Sequence, residues 1–437
     1  MNENVEPNVR LRRPDRAQIV MRVECDEDLI PAGHRARVIW SVVQKLDLQK
    51  FYEPIKARAG VCGRDMTDPA LLISLWLYAA TRGVGSAREL ARLCTESRPY
   101  RWLCGGVSLN HHTLSDFRID HGEALDELFT QVLASLVDRG LVKVHRISQD
   151  GTRVRACAGA ASLRGEKRLE ELLKQAQAHV TELAALLDDP EKSAGLSAKK
   201  KAAQTRAAKE RVERIEAAVA QLPALKSKQS AAAKKAGDGE YGKKLKKGQP
   251  RVSTTDADAR VMKMGDGGFR PAVNVQLATD TESRAIVGVQ VTNVGSDKGL
   301  AEPMREQVEH RTAQKVGEHL MDGGFLVLSE IDTAVDQGVT LFVPPTIPRD
   351  PEKRDQRYQP KPTDTEAQAA WRVRMGTEEA KEIYRQRAAT IETANADLKQ
   401  HRGLGQLTVK GLAKGKCVAL WCALAYNLLH FGPALIA

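Results

Sequence analysis

The sequence has little sulfur, and what it has is scattered. Seven cysteines (Cys25, Cys62, Cys94, Cys104, Cys157, Cys417 and Cys422) are spread through 437 residues, odd in number and never in CxxC spacing. This argues against a disulfide framework and a sulfur-ligated zinc site, and for a reducing cytosol. Aromatic residues make up only 4% of the chain. The opening stretch MNENVEPNVRLRRPDR has no apolar run, which excludes a secretory signal there and leaves residues 1–24 as an expected disordered lead. Long uncharged runs are missing too, save CVALWCALAYNLLHFGPALIA at residues 417–437. That run is long enough to span a bilayer, but Asn427, His430, Gly432 and Pro433 in its second half favour a buried core helix.

What the chain does have is positive charge, unevenly placed. Its formal charge is +11, and residues 196–250 alone hold 15 Lys and Arg against 5 Asp and Glu, a surplus of ten. A polyanionic partner is the first inference. The length predicts two or three structural units.

Residues 34–145 read as helical throughout. TDPALLISLWLYAATRG places apolar residues at 71, 72, 75, 76 and 79, one face of a helix. Ser86 and Glu89 form a capping box ahead of Leu90 and Leu93. The short helices on either side of CGGVSLN, the second carrying Arg118 and His121, suit either a helix-turn-helix that offers Arg118 to DNA or a plain bundle. Beyond residue 166, Leu169, Leu173, Ala176, Val180, Leu183 and Leu187 follow a heptad seam. Pro190 and Gly195 break it, and Val212, Ile215, Val219 and Leu222 resume it. The segment is expected to be a helical hairpin that pairs with itself or with a second protomer. The lysine-rich stretch from Pro223 to Pro250 reads as a flexible basic linker.

After residue 250 the rhythm becomes that of strands. PAVNVQLATD and RAIVGVQVTNVG alternate β-branched and polar residues as a hairpin, followed by helix, the strand EHLMDGG, helix, the strand TLFVPP and a long charged helix. Mixed sheets place ligands at the carboxyl ends of strands. Asp150 follows HRIS and Asp322 follows EHLM, and each precedes a glycine that lets solvent and backbone approach. Acids in such positions suit a hard divalent ion, which takes oxygen ligands and phosphate oxygens. Asp256 and Asp258 are read as loop acids.

The ordered set DGTRVRA, PAVNVQLATD, LMDGGF and YRQRAATIETANADLKQH resembles the catalytic core of bacterial insertion-sequence transposases, which has a ribonuclease H-like fold and a DDE triad. LWLYAATRGVGSARELARLC and YRWLCGGVSLNHHTLSDFR resemble the helical domain that precedes that core in one branch of the family. The resemblance implies Asp150, Asp322 and Glu392 as metal-binding and catalytic acids, two Mg²⁺ ions for which Mn²⁺ can substitute, terminal-repeat DNA as substrate, and a synaptic oligomer. It maps the family's Tyr-Arg-Glu-Lys helix onto Tyr384, Arg387, Glu392 and Lys399, with four residues between Arg and Glu where the common pattern has three. At 100° per residue Tyr384, Arg385 and Lys399 share a face with Glu392 while Arg387 turns away. Arg385 and Arg387 are therefore alternative bearers of the arginine's role. Arg153 and Arg155, alternating beyond Asp150, are expected either to meet DNA phosphates or to form an exposed strand face.

The resulting expectation is an α+β protein. A helical DNA-binding domain spans 25–145, a ribonuclease H-like mixed sheet with helices on both faces takes in 146–157 and 251–437, and a basic coiled-coil insertion and linker covers 158–250. The expected function is a cytoplasmic transposase that binds transposon ends and target DNA as a homodimer or larger assembly and does not enter a membrane. A catalytically inactive DNA-binding regulator and a stand-alone nuclease of the same fold are the alternatives.

Overall fold

The computed structural model describes residues 16–437 apart from 18, 20–22, 24, 58, 59, 61–64, 192 and 193, so most of the expected N-terminal lead lies outside the described residues. Among the described residues there are eight strands: β1 (Arg146–Arg155), β2 (Leu163–Arg164), β3 (Val252–Ser253), β4 (Arg260–Lys263), β5 (Phe269–Asp280), β6 (Ile286–Thr292), β7 (Glu318–Leu320) and β8 (Thr340–Phe342). β2 and β3 form a separate two-stranded ribbon. The other six make one mixed sheet in which β5 is antiparallel to β1 on one edge and to β4 and β6 on the other. β7 runs parallel to β1, and β8 parallel to β7. An antiparallel meander followed by two parallel strands, with helices on both faces, is the ribonuclease H-like α+β fold the sequence leads one to expect.

Local chemistry accounts for many of the element boundaries. Asp68 accepts the amide of Ala70 at the start of the helix Pro69–Thr81, whose first residue is a proline. Ser86 accepts the amide of Glu89 and starts Ala87–Glu96. Gly288 on β6 leaves no side chain where the helix Ala301–Thr312 approaches; a Cβ there would lie 2.3 Å from Met304 Sδ. The uncharged C-terminal run is the helix Leu412–Ile436, the one described helix long and apolar enough to cross a membrane. It is largely buried, packed on Pro69–Thr81, on Gly122–Asp138 and on β6. Asn427 at its centre accepts the Ile286 amide at 2.9 Å and donates to the Ile286 carbonyl at 2.8 Å, which satisfies an edge strand that would otherwise be bare. Through this helix one hydrophobic core runs from Leu29 to Leu435.

Between β2 and β3 the helices Glu166–Asp188 and Ala198–Ala220 form the expected hairpin, with Leu169, Ala176, Ile215 and Ala218 buried at its root. The stretch read as a flexible linker is helical instead, as Leu222–Ala236 and Glu240–Lys247. Pro223 lies in the first turn, where a missing amide costs nothing, and the alanines and lysines after it are good helix formers. Lys226 then pairs with Glu166 at 2.6 Å and ties this helix back to the hairpin.

Candidate active site

Asp150 does not end its strand. β1 continues through Gly151 to Arg155, and Asp150 sits at its middle, opposite Leu277 of β5. The parallel pairing with β7, however, stops at Ser148 and Leu320. Asp150 and Asp322 each lie two residues beyond that last pair, so both carboxylates stand where the two strands part. One oxygen of Asp322 accepts the Gly324 amide at 2.8 Å and closes the turn after β7.

The third acid arrives on the helix that covers this face of the sheet. Glu378–Arg387 and Thr393–His401 are α-helical, but Ala388–Glu392 between them is a π-helical turn. This corrects the helical-face reading. Five α-helical steps would carry Glu392 about 140° around the axis from Arg387, whereas the i→i+5 spacing of a π turn returns it to the same side. The extra residue between Arg and Glu is absorbed there. Arg387 Nη1 lies 2.6 Å from Glu392 Oε1, and Nη2 lies 3.1 Å from Asp150 Oδ1. Arg385 points away and pairs with Glu382 on the surface.

Electrostatics ties the remaining groups together. Burial pushes the Asp150 carboxyl above the ordinary range; Arg387 offsets this, and Asp322 adds to it. Burial opposes the charge of Arg387, but Asp150, Tyr384, Asp322 and Glu392 outweigh it and raise its proton affinity. Tyr384 keeps its phenolic proton above the usual range through burial, with Asp322, Glu392 and Asp150 contributing. Burial lowers Lys399, opposed by nearby Asp150. Asp150, Asp322, Tyr384, Arg387, Glu392 and Lys399 thus share one neighbourhood. Asn395, which the sequence reading missed, donates from Nδ2 to Asp150 Oδ2 at 3.0 Å. Its place three residues after Glu392, on the same helix face, is the signal that would have found it.

Two arginines expected at DNA are engaged inside the protein. Arg118 is buried, donates to the Gly85 carbonyl at 2.5 Å and lies over the Trp76 ring at 4.8 Å. Its helix is held by backbone carbonyls that accept the indole N–H groups of Trp76 and Trp421. Arg153 projects from the face of β1 opposite Asp150, pairs with Asp297 at 3.0 Å and donates to the Gly295 carbonyl at 2.7 Å. Arg155, at the end of the strand, is exposed. Asp256 and Asp258 accept the amides of Gly411 and Leu412 at the start of the C-terminal helix, the structural use expected of loop acids.

Among the described residues no three Asp, Glu, His or Cys side chains are gathered closely enough to hold one ion. The chemistry of the cluster nevertheless suits a hard cation. Its acids offer oxygen only, a guanidinium already neutralises two of them, and Asn395 Oδ1 beside Asp150 is buried without a partner.

A mixed sheet with acids at the parting of two strands and on the covering helix is a ribonuclease H-like architecture of the DDE kind. Family comparison agrees: the model for the transposase DDE domain matches residues 239–428, and the transposase domain (DUF772) matches residues 24–120. The chain belongs to the insertion-sequence DDE transposases. The DDE match begins at residue 239, just before the last helix of the insertion, so β1 and Asp150 lie outside it while Asp322, Tyr384, Glu392 and Lys399 lie within. No curated protein and no solved structure matches the chain.

Proposed function

We propose that this transposase binds the ends of its insertion sequence, hydrolyses a phosphodiester bond there and joins the freed 3′-hydroxyl to target DNA. The observation that carries this reading is the meeting of Asp150, Asp322 and Glu392, from three distant segments, around Arg387. These three acids would hold two Mg²⁺ ions, which Mn²⁺ can replace, and such a pair activates the attacking water or hydroxyl and stabilises the leaving oxygen.

The protein's own groups have separate tasks. Arg387, bridging two acids, holds their side chains and balances their charge, and its planar fork is of the kind that also takes a phosphate oxygen. Lys399 and Tyr384, half-buried beside the acids, present an ammonium and a hydroxyl to the backbone of a bound strand. Arg155, exposed beyond Asp150 on β1, contacts phosphate further along the duplex. Asn395 holds Asp150 in one rotamer. Two protomers bring two ends together, and the reaction takes place in the cytoplasm, where the DNA is.

The test is cleavage of a labelled duplex bearing the element's own end, in Mg²⁺ or Mn²⁺, by wild type and by Asp150→Ala, Asp322→Ala and Glu392→Ala, with binding measured in parallel. Wild type alone should nick while all three variants still bind. Normal cutting by any variant removes that residue from the site. Recovery of joined product separates a transposase from a nuclease that only cuts.

A further inference from the structure

Away from the acids, at the root of the helical insertion, lies a cavity of about 460 Å³ into which five cations open: Arg164, Arg168, Arg211, Arg214 and Lys410. They come from four parts of the chain: β2, the first insertion helix, the second, and the loop before the C-terminal helix. Thr254 and Thr255 add hydroxyls to the wall, and no acid lines it. The cations are scarcely neutralised from outside. Arg168 pairs with exposed Glu171 at 2.8 Å and Arg214 approaches Glu210 only to 3.8 Å. Arg211 and Lys410 have no ion pair among the described residues.

The floor is firm. Ile215 is buried with Leu169, Ala218 and Val252, and Leu172 packs against them, so the helix backbones that carry the arginines are fixed around the hollow. Gathering five like charges costs repulsion that only a polyanion or solvent relieves, and a concave wall of one sign concentrates its field on what enters.

We propose that this hollow is a phosphodiester-binding site that grips the backbone of duplex DNA away from the point of chemistry. Four guanidinium forks and two hydroxyls match phosphate oxygens and carry no base readout. The position suits a duplex that also reaches the acids. β1 runs from Asp150 to Arg155, roughly 17 Å, and ends beside Gln406 near the Lys410 loop. At one phosphate per 3.4 Å along each strand, the span from Asp150 to the end of β1 corresponds to about five base pairs. This inference rests on the transposase reading.

The experiment is fluorescence anisotropy of a labelled 30-base-pair duplex, once bearing the element's end and once of unrelated sequence, across a salt series. Wild type is compared with Arg211→Gln/Arg214→Gln/Lys410→Gln and with Lys199→Gln/Lys200→Gln/Lys201→Gln, which removes equal charge from the far end of the second insertion helix. The pocket variant should weaken binding to both duplexes alike and flatten the slope of log K against log salt by about one per residue; the control should leave both nearly unchanged. An unchanged slope in the pocket variant, or an equal loss in the control, overturns the proposal, as does wild-type protection of Arg211 and Arg214 from phenylglyoxal by inorganic phosphate but not by DNA. That footprint uses unaltered protein and stands even if the variant folds poorly. If wild type binds neither duplex, the transposase reading itself fails; if wild type binds and the pocket variant binds identically, only the hollow is wrong.

Discussion

Arg387 and Glu392 form a 2.6 Å ion pair across five residues of one helix, a separation that an α-helix would turn to opposite flanks. The π turn at Ala388–Glu392 makes the pair possible and, with it, the second arm of Arg387 on Asp150. Single π turns inside α-helices are recurrent at functional sites, and here the spacing of the motif and the geometry of the turn compensate each other.

Deleting exposed Ala389 should restore continuous α-helix with Glu392 four steps from Arg387, a spacing that keeps the two on one face. The protein is expected to remain folded by circular dichroism and to keep most of its end cleavage, whereas Arg387→Ala should reduce cleavage roughly a hundredfold, the scale of losing one oriented charge at a reacting centre. Arg387→Lys keeps the charge but not the fork, and should fall nearly as far. A loss in the deletion variant as deep as in Arg387→Ala would show that the π turn does more than absorb the extra residue.

Asn395 holds Asp150 through a charged hydrogen bond, an interaction of about 1.5–3 kcal/mol. Asn395→Leu should lower cleavage about tenfold or more and leave DNA affinity close to wild type. Asn395→Asp, which sets a second carboxylate against Asp150, should do worse at neutral pH and recover partly under acid conditions. Equal behaviour of the two variants would mean that Asn395 only fills space.

Gly151 is required by what lies behind the strand. A Cβ there would come within 2.2 Å of Gln276 Nε2 and 2.3 Å of Asp297 Oδ1, groups already joined by a 2.7 Å hydrogen bond. Gly151→Ala should cost about 1–3 kcal/mol in denaturant unfolding. Because Arg153 is tied to the same Asp297, Arg153→Gln should lower stability as well and change the salt dependence of DNA binding little.

His319 on β7 is fully buried, with neither ring nitrogen hydrogen-bonded among the described residues, and its imidazole is held well below the ordinary value by burial and then by Arg305. The native state therefore refuses a proton that the unfolded chain takes up near pH 6.5. Below that pH the unfolded state binds more protons, so stability falls as pH drops, by at most about 1.4 kcal/mol per unit, and this contribution is level above pH 6.5. His319→Leu should flatten the pH 5–7 part of the unfolding profile. A slope equal to wild type would assign that loss to other groups.

The α+β class, the succession of β5, β6, β7 and β8 along the chain and both helices of the insertion hairpin were legible because each rests on local periodicity: a two-residue alternation in β5 and β6, a heptad seam from Leu169 to Leu187. The place of Asp322, just after a short strand and before two glycines, was legible for the same reason. Other features depended on contacts that no window of sequence contains. Arg118 and Arg153 look like DNA ligands by residue type, and only the placing of Trp76 and Asp297 beside them turns their charge inward. The lysine-rich stretch after Pro223 has the composition of a linker and is helical because Glu166 and the hairpin give it something to pack on. Arg387 shows the division most clearly. Its spacing from Glu392 is written in the sequence, but whether a helix widens by one residue is decided by burial of Ile391 and Ala394 under the sheet and by the pull of Asp150, energies that exist only once distant strands have met.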